Sequence, residues 1–151
     1  MGKEIERKFL VTNDTYKNLS TSAVRIRQGY LNRDPDRTVR VRIIGEKACI
    51  TVKGRNHGSV RDEWEFEIDP QQAAEMLRLC DGGIIDKTRY YVDAADGLCW
   101  EIDEFHGRLA PLVVAEIELP APDTRFICLQ FIGREVTDDP AYFNSSLSAQ
   151  A

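Results

Sequence analysis

Long apolar runs are missing from this sequence: none approaches the roughly 18 residues of a membrane-spanning helix. Charge begins at Lys3 and Glu4, where a secretory leader would carry its apolar stretch, so neither a membrane protein nor an exported one is expected. Cysteine and histidine are scarce and scattered. Cys49, Cys80, Cys99 and Cys128 form no C-x-x-C pair, which argues against zinc and against a disulfide framework and fits a reducing cytoplasm. His57 falls in a turn signal and His106 at a strand end, so imidazole chemistry is not expected of either. Positive charge is outweighed: the net charge of -5 at pH 7 repels polyanions and argues against nucleic acid as a partner. No repeat of solenoid length and no low-complexity linker interrupts the chain, which reads as one domain over 1–151.

What is present is a succession of short turn signals, at Asp34-Pro35-Asp36, Gly45, Asn56-His57-Gly58, Gly82-Gly83, Asp96-Gly97 and Gly107. The segments between them alternate in polarity, which predicts strands over 3–11, 24–32, 37–45, 47–54, 59–68, 84–93, 98–106 and 112–119. Such a run of strands suggests a mainly β protein, an antiparallel barrel or a sandwich. One helix is well signalled, because Asp69 can cap it, Pro70 suits its first turn, and Ala73, Met76, Leu77 and Cys80 share a face before Gly82. Shorter helices are expected after Asn13 or Asp14, around 122–129 and around 140–147, and the tail from Ser145 reads as prone to fraying.

Alternate residues of a strand lie on opposite faces, and here that rule sorts charge from apolar bulk. One set of faces carries Glu4, Glu6 and Lys8; Arg40 and Arg42; Thr51 and Lys53; Arg61, Glu63, Glu65 and Glu67; Lys87 and Arg89; Glu101 and Asp103; and Glu116 and Glu118. The opposite set carries Ile5, Phe9, Val39, Val41, Ile43, Ile50, Val52, Trp64, Phe66, Ile68, Ile102, Val113, Ala115 and Ile117. The plain reading is an apolar interior inside a solvated charged exterior, and periodicity alone does not say which face is inside. Two carboxylates about 7 Å apart repel by about 0.6 kcal/mol in water but about 2.4 kcal/mol at an effective dielectric of 20. If the charged faces point inward, several Glu-x-Glu pairs therefore demand cations, either the arginines and lysines nearby or hard divalent metal. A lumen carrying both signs would suit a polyphosphate, gripped by basic side chains and bridged to carboxylates through metal.

These segments closely resemble the CYTH superfamily, the triphosphate tunnel metalloenzymes. The resemblance runs through Glu4-Ile5-Glu6-Arg7-Lys8-Phe9-Leu10-Val11, Gln28-Gly29-Tyr30-Leu31, Thr38-Val39-Arg40-Val41-Arg42, Thr51-Val52-Lys53-Gly54 and Arg61-x-Glu63-x-Glu65. It resumes at Lys87-Thr88-Arg89-Tyr90, Glu101-x-Asp103-x-Phe105, Ala115-Glu116-Ile117-Glu118-Leu119, Gly133-x-Glu135-Val136-Thr137 and Tyr142-x-Asn144-Ser145-x-Leu147. It implies an eight-stranded antiparallel β tunnel with its charges inward and a few helices packed outside. Carried over position by position, it implies that Lys8, Arg40, Arg42, Lys53, Lys87 and Arg89 grip a triphosphate, with Arg61 in support. Glu4, Glu6, Glu63, Glu65, Glu116 and Glu118, supported by Asp103, would hold Mg2+ or Mn2+, and Glu4, Glu6, Lys8, Glu63 and Glu65 form its catalytic heart.

The reaction implied is in-line attack of water on a terminal phosphoryl group. Two departures stand out. The last lysine is Lys87, so a C-terminal contribution would fall to Arg134 or Tyr142, and Phe126 to Phe131 lacks the proline and tryptophan often found there in the family. The family includes inorganic triphosphatases, thiamine and nucleoside triphosphatases, RNA triphosphatases and adenylate cyclases. Inorganic tripolyphosphate ranks first, because this chain shows no appended domain or base-recognition device. The alternative from another class is a non-catalytic polyphosphate-binding module, and the sequence is compatible with a homodimer.

Overall fold

The computed structural model describes residues 2–151. All the expected strands form: β1 (Gly2–Val11), β2 (Ser22–Asn32), β3 (Arg37–Ile44), β4 (Lys47–Gly54), β5 (Val60–Ile68), β6 (Asp81–Asp93), β7 (Cys99–Phe105) and β8 (Val113–Glu118). They pair antiparallel in the order β5-β4-β3-β2-β6-β7-β8-β1, and β5 closes on β1 through the register Glu4 to Arg61. The result is a closed eight-stranded barrel, which leaves few free backbone edges. β2 through β5 follow one another as hairpins, as do β6 through β8. Gly45 takes the positive φ that the two-residue β3–β4 hairpin needs.

The apolar faces point outward and most are covered, although Phe66 on β5 stays exposed. Helix α1 (Tyr16–Leu19) and an extended strap from Pro120 to Phe131 cover Phe9, Trp100, Ala115 and Ile117, all buried. Helix α2 (Pro70–Leu77) lays Ala73 and Leu77 over Val41 and Ala48. Asp69 caps α2 by accepting a 2.7 Å hydrogen bond from the Gln71 amide. The expected one-turn helix after Asp14 is α1, and α2 ends at Leu77, before Cys80.

The helix expected around 122–129 is absent; this stretch is the extended strap. Its hold comes from aromatic anchors: the Phe126 ring meets those of Phe9 and Trp100 edge-on at 6.0 and 5.8 Å, beneath the Arg7 guanidinium. From this stretch without regular structure, Phe126, Leu129 and Phe131 all reach that groove. A ninth strand, β9 (Ile132–Glu135), then pairs with the second half of β1, where β5 no longer reaches. Gly133 permits the close approach, since a Cβ there would lie 2.8 Å from the Thr12 side chain.

Beyond β9 the chain crosses one end of the barrel. The Val136 amide donates to the Lys8 carbonyl, and the Lys8 amide donates to Thr137 Oγ1. A single 3-10 turn (Pro140–Tyr142) and α3 (Asn144–Ser148) replace the one helix expected around 140–147. Leu147 packs with Ile85, Phe105 and Val114, closing that end on the β6–β8 side.

Candidate active site

The barrel's inner faces carry the charge. Glu4, Glu6, Glu63, Glu65, Glu116 and Glu118 surround one cavity of about 190 Å³, opposite Arg40, Arg42, Lys53 and Arg89. Glu101 joins them, so seven carboxylates share the cavity with four cations. Lys8 and Arg61 lie at an adjoining smaller cavity, with Tyr30, Thr38, Thr137 and Ser145. Asn144, the first residue of α3, lines both.

Within this lumen most charges are already matched. Lys53 Nζ lies 2.7 Å from Glu4 Oε2 as an ion pair. Burial alone would raise the Glu4 pKa, but Lys53 and a hydrogen bond from Glu6 together outweigh it and hold the carboxyl down at about 2. Lys8 Nζ sits 3.4 Å from Glu116 and donates to the Tyr142 carbonyl at 3.0 Å. Burial opposes the charge of Glu116 as well, yet Lys8 and Arg89 leave it well below the usual carboxylate range. Glu65 lies half in solvent, accepts from Thr51 at 2.9 Å, and has Arg40 at 3.8 Å.

Glu6, Glu63 and Glu118 make no salt bridge among the described residues, and Glu101 has only a 3.3 Å contact to Arg89, which is itself committed to Asp103. Burial pushes the Glu6 pKa well above its ordinary value, and Glu116 and Glu4 push it further. Glu63, Glu101 and Glu118 are raised too, by burial first. An excess of hard oxygen ligands at one end of a polar lumen fits Mg2+, Mn2+ or Ca2+ chemistry and nothing softer. Among the described residues no three such groups already converge at ligand spacing, so the carboxylates would close in around an ion rather than wait in position.

Two expected members stand apart. Asp103 is fully enclosed and gives both oxygens to cations, accepting from Arg89 Nε and Nη2 at 2.7 and 2.9 Å and from Lys87 Nζ at 2.7 Å. It lines neither cavity, so it anchors the basic wall instead of facing the lumen with the other carboxylates. Lys87 is likewise sealed off, with its ammonium 5.4 Å from the Phe105 ring centroid. Burial lowers its pKa to about 7, with Arg89 and Arg42 adding to the shift against the pull of Asp103. Arg61 spends its donors on the Gly54 and Pro35 carbonyls and on Thr38 Oγ1, tying two turns together at the mouth.

The C-terminal contribution comes from Asn144 and Ser145, not from Arg134, which is exposed on β9. Tyr142 takes part only through its backbone carbonyl. Both Asn144 and Ser145 stand in a segment that resembles the family, but neither carries the charge that marks the lumenal strands.

A CYTH domain matches residues 2–147. The chain belongs to the CYTH family. It is 49% identical over 148 residues to the inorganic triphosphatase of Acetivibrio thermocellus, covering 97% of this chain and 94% of that protein. The inorganic triphosphatase of Nitrosomonas europaea is 38% identical over 148 residues, with 96% of each chain covered. The crystal structure of the inorganic triphosphatase NE1496 superposes with a TM-score of 0.69 at 34% identity, over 100% of this chain and 97% of that one. The PH1012 protein of Pyrococcus horikoshii OT3, 23% identical with a TM-score of 0.62 over 79% of this chain and 80% of that one, shares the fold. The inward orientation of charge that periodicity left open is thus the CYTH arrangement, and no helix of the described residues is long and apolar enough to cross a membrane.

Proposed function

We propose that this CYTH protein hydrolyses inorganic tripolyphosphate to phosphate and diphosphate with the help of Mg2+ or Mn2+. One observation carries the reading: a single cavity sets four cations against seven carboxylates and has no apolar side chain in its lining. No aromatic ring lines it for a nucleobase or a thiamine ring to stack on, whereas a chain of phosphates finds donors along its length. Both relatives named above are inorganic triphosphatases, which supports the same substrate here.

In this reading Arg40, Arg42, Lys53 and Arg89 bind the phosphoryl oxygens and fix the chain in line. Lys8 neutralises the charge that gathers on the departing diphosphate. Glu4, Glu6, Glu63, Glu65, Glu116 and Glu118 are the groups that would hold divalent metal. The bound ion supplies charge neutralisation at the phosphoryl oxygens and acidifies water. A water oxygen forms the new bond to the terminal phosphorus as the P–O bond to diphosphate breaks. The proton it sheds passes to a lumenal carboxylate that is not engaged with the metal. Asn144 closes the lumen over the bound chain. All four cysteines are free, which suits a cytoplasmic enzyme.

The test is a screen of tripolyphosphate, ATP, thiamine triphosphate and pyrophosphate against Mg2+ and Mn2+, with products identified. Phosphate and diphosphate released from tripolyphosphate in preference to the others is the expected result. Cyclic nucleotide from ATP, or no phosphate from any of them, overturns it.

A further inference from the structure

Of the four cations that line the central cavity, Arg42 alone makes no salt bridge among the described residues; Arg40, Lys53 and Arg89 each have a carboxylate. Its Nε donates instead to Gln28 Oε1 at 2.8 Å. Gln28 is fully enclosed, on the inner face of β2 directly opposite Arg42 in the β2–β3 register. The orientation of its amide follows from chemistry, because a guanidinium only donates and must therefore face the amide oxygen. That leaves Gln28 Nε2 as a buried donor with no acceptor. Arg40 Nε, on the same inner face, is a second buried donor without one.

We propose that Gln28 is a positioning residue for the substrate, holding the Arg42 guanidinium toward the lumen through a neutral contact that leaves its full charge available to a phosphoryl group. An acid in this place would hold the arginine equally well and cancel it. An amide holds it and cancels nothing. The arrangement leaves a buried, uncompensated cation beside buried donors, a state that costs stability until an anion arrives and so directs the binding energy to the anion. Burial and the charges of Arg40 and Arg89 lower the Arg42 pKa to about 10, as expected of a guanidinium without a counter-ion. The inference deepens the triphosphate reading and rests on it for the identity of the anion.

The decisive variant is Gln28→Glu, which keeps the shape and the contact to Arg42 but adds the missing counter-charge. Thermal melting without phosphate in EDTA should rise above that of the unaltered protein, while KM for tripolyphosphate should rise by about tenfold or more. The melting shift that tripolyphosphate produces in EDTA should shrink in parallel. These opposite signs distinguish positioning from packing, since a residue that merely fills space would lower both stability and activity. Gln28→Met, which keeps the bulk but loses the contact, should melt lower and raise KM by less than Gln28→Glu does. A Gln28→Glu protein that melts below the unaltered one, fails to fold, or keeps its KM within about twofold overturns the proposal, as does an unchanged KM in Gln28→Met. Because the melting shift reads binding without turnover, an unaltered protein that binds tripolyphosphate but does not hydrolyse it would sink the triphosphatase reading and leave this one standing.

Discussion

The Lys53 ammonium and the Glu4 carboxylate meet at 2.7 Å across the inner face of β5, pairing the cation proposed for phosphate with a carboxylate proposed for metal. Each neutralises the other, so in the proposed reaction substrate and metal would separate them. Glu4→Gln removes the carboxylate charge and frees the lysine. Metal-dependent hydrolysis should fall by about 100-fold or more, as for loss of a group that holds a catalytic metal. Binding of metal-free tripolyphosphate should instead tighten, read by isothermal titration in EDTA. Equal weakening of both would show that the pair acts only as a strut.

Asp103 gives the opposite case, a carboxylate of the right kind in the wrong place for metal. Its oxygens are occupied by Arg89 and Lys87, and although burial opposes its charge, those two cations hold its pKa at about 2. Asp103→Asn should cost roughly 3–5 kcal/mol in urea unfolding, because it strands the buried Lys87 and leaves Arg89 only its 3.3 Å contact to Glu101. The metal concentration for half-maximal rate should stay near that of the unaltered enzyme. In Glu118→Gln, by contrast, stability should hold and the metal requirement should climb. A large rise in metal requirement for Asp103→Asn would restore it to the ligand set.

Much of this architecture was legible in the sequence, and the reason is period. Strand alternation put Glu4, Glu6 and Lys8 on one face and Ile5 and Phe9 on the other, and the barrel keeps that division throughout. Alternation reports a face but not a depth, so Asp103 and Lys87 looked equivalent to Glu116 and Arg42 although they are sealed behind the lumen wall. The strap from Pro120 to Phe131 could not be read because its order comes from the distant rings of Phe9 and Trp100, not from local preference. The four residues of β9 are too few for alternation to register, with Gly133 among them. Asn144 carried no charge signal and gained its place only when the C-terminal segment was tied down by Lys8.

Arg61 illustrates how a lumenal cation can be structural. Its guanidinium is committed to the Gly54 and Pro35 carbonyls and to Thr38, at 2.8, 3.0 and 3.3 Å. Lysine cannot reproduce that fork of donors. Arg61→Lys should therefore lose about 1–2 kcal/mol of stability through the unpaired carbonyls, while KM for tripolyphosphate moves by no more than about threefold. Chemical denaturation and steady-state kinetics on the same preparation separate the two. A tenfold KM increase at full stability would instead place the guanidinium on the substrate.

Proton competition sets the last expectation. The carboxyls of Glu6, Glu63, Glu101 and Glu118 all have raised pKa values, with burial the first cause in each. A group with a raised pKa keeps its proton to higher pH, and a divalent ion must displace that proton to bind. Below the raised values protons and metal compete; above them the competition ends. Apparent affinity for Mg2+ or Mn2+ should accordingly strengthen as pH climbs from the ordinary carboxylate range through neutrality, and metal binding should release protons to the buffer. Titration calorimetry in buffers of different ionisation enthalpy at pH 6 and pH 8 measures both. Glu6→Gln removes the most strongly raised of these groups, so it should weaken metal binding and diminish the proton release together. Affinity independent of pH over that interval, with no protons released, would mean that these carboxylates are already ionised and that the lumen is wetter than its burial implies.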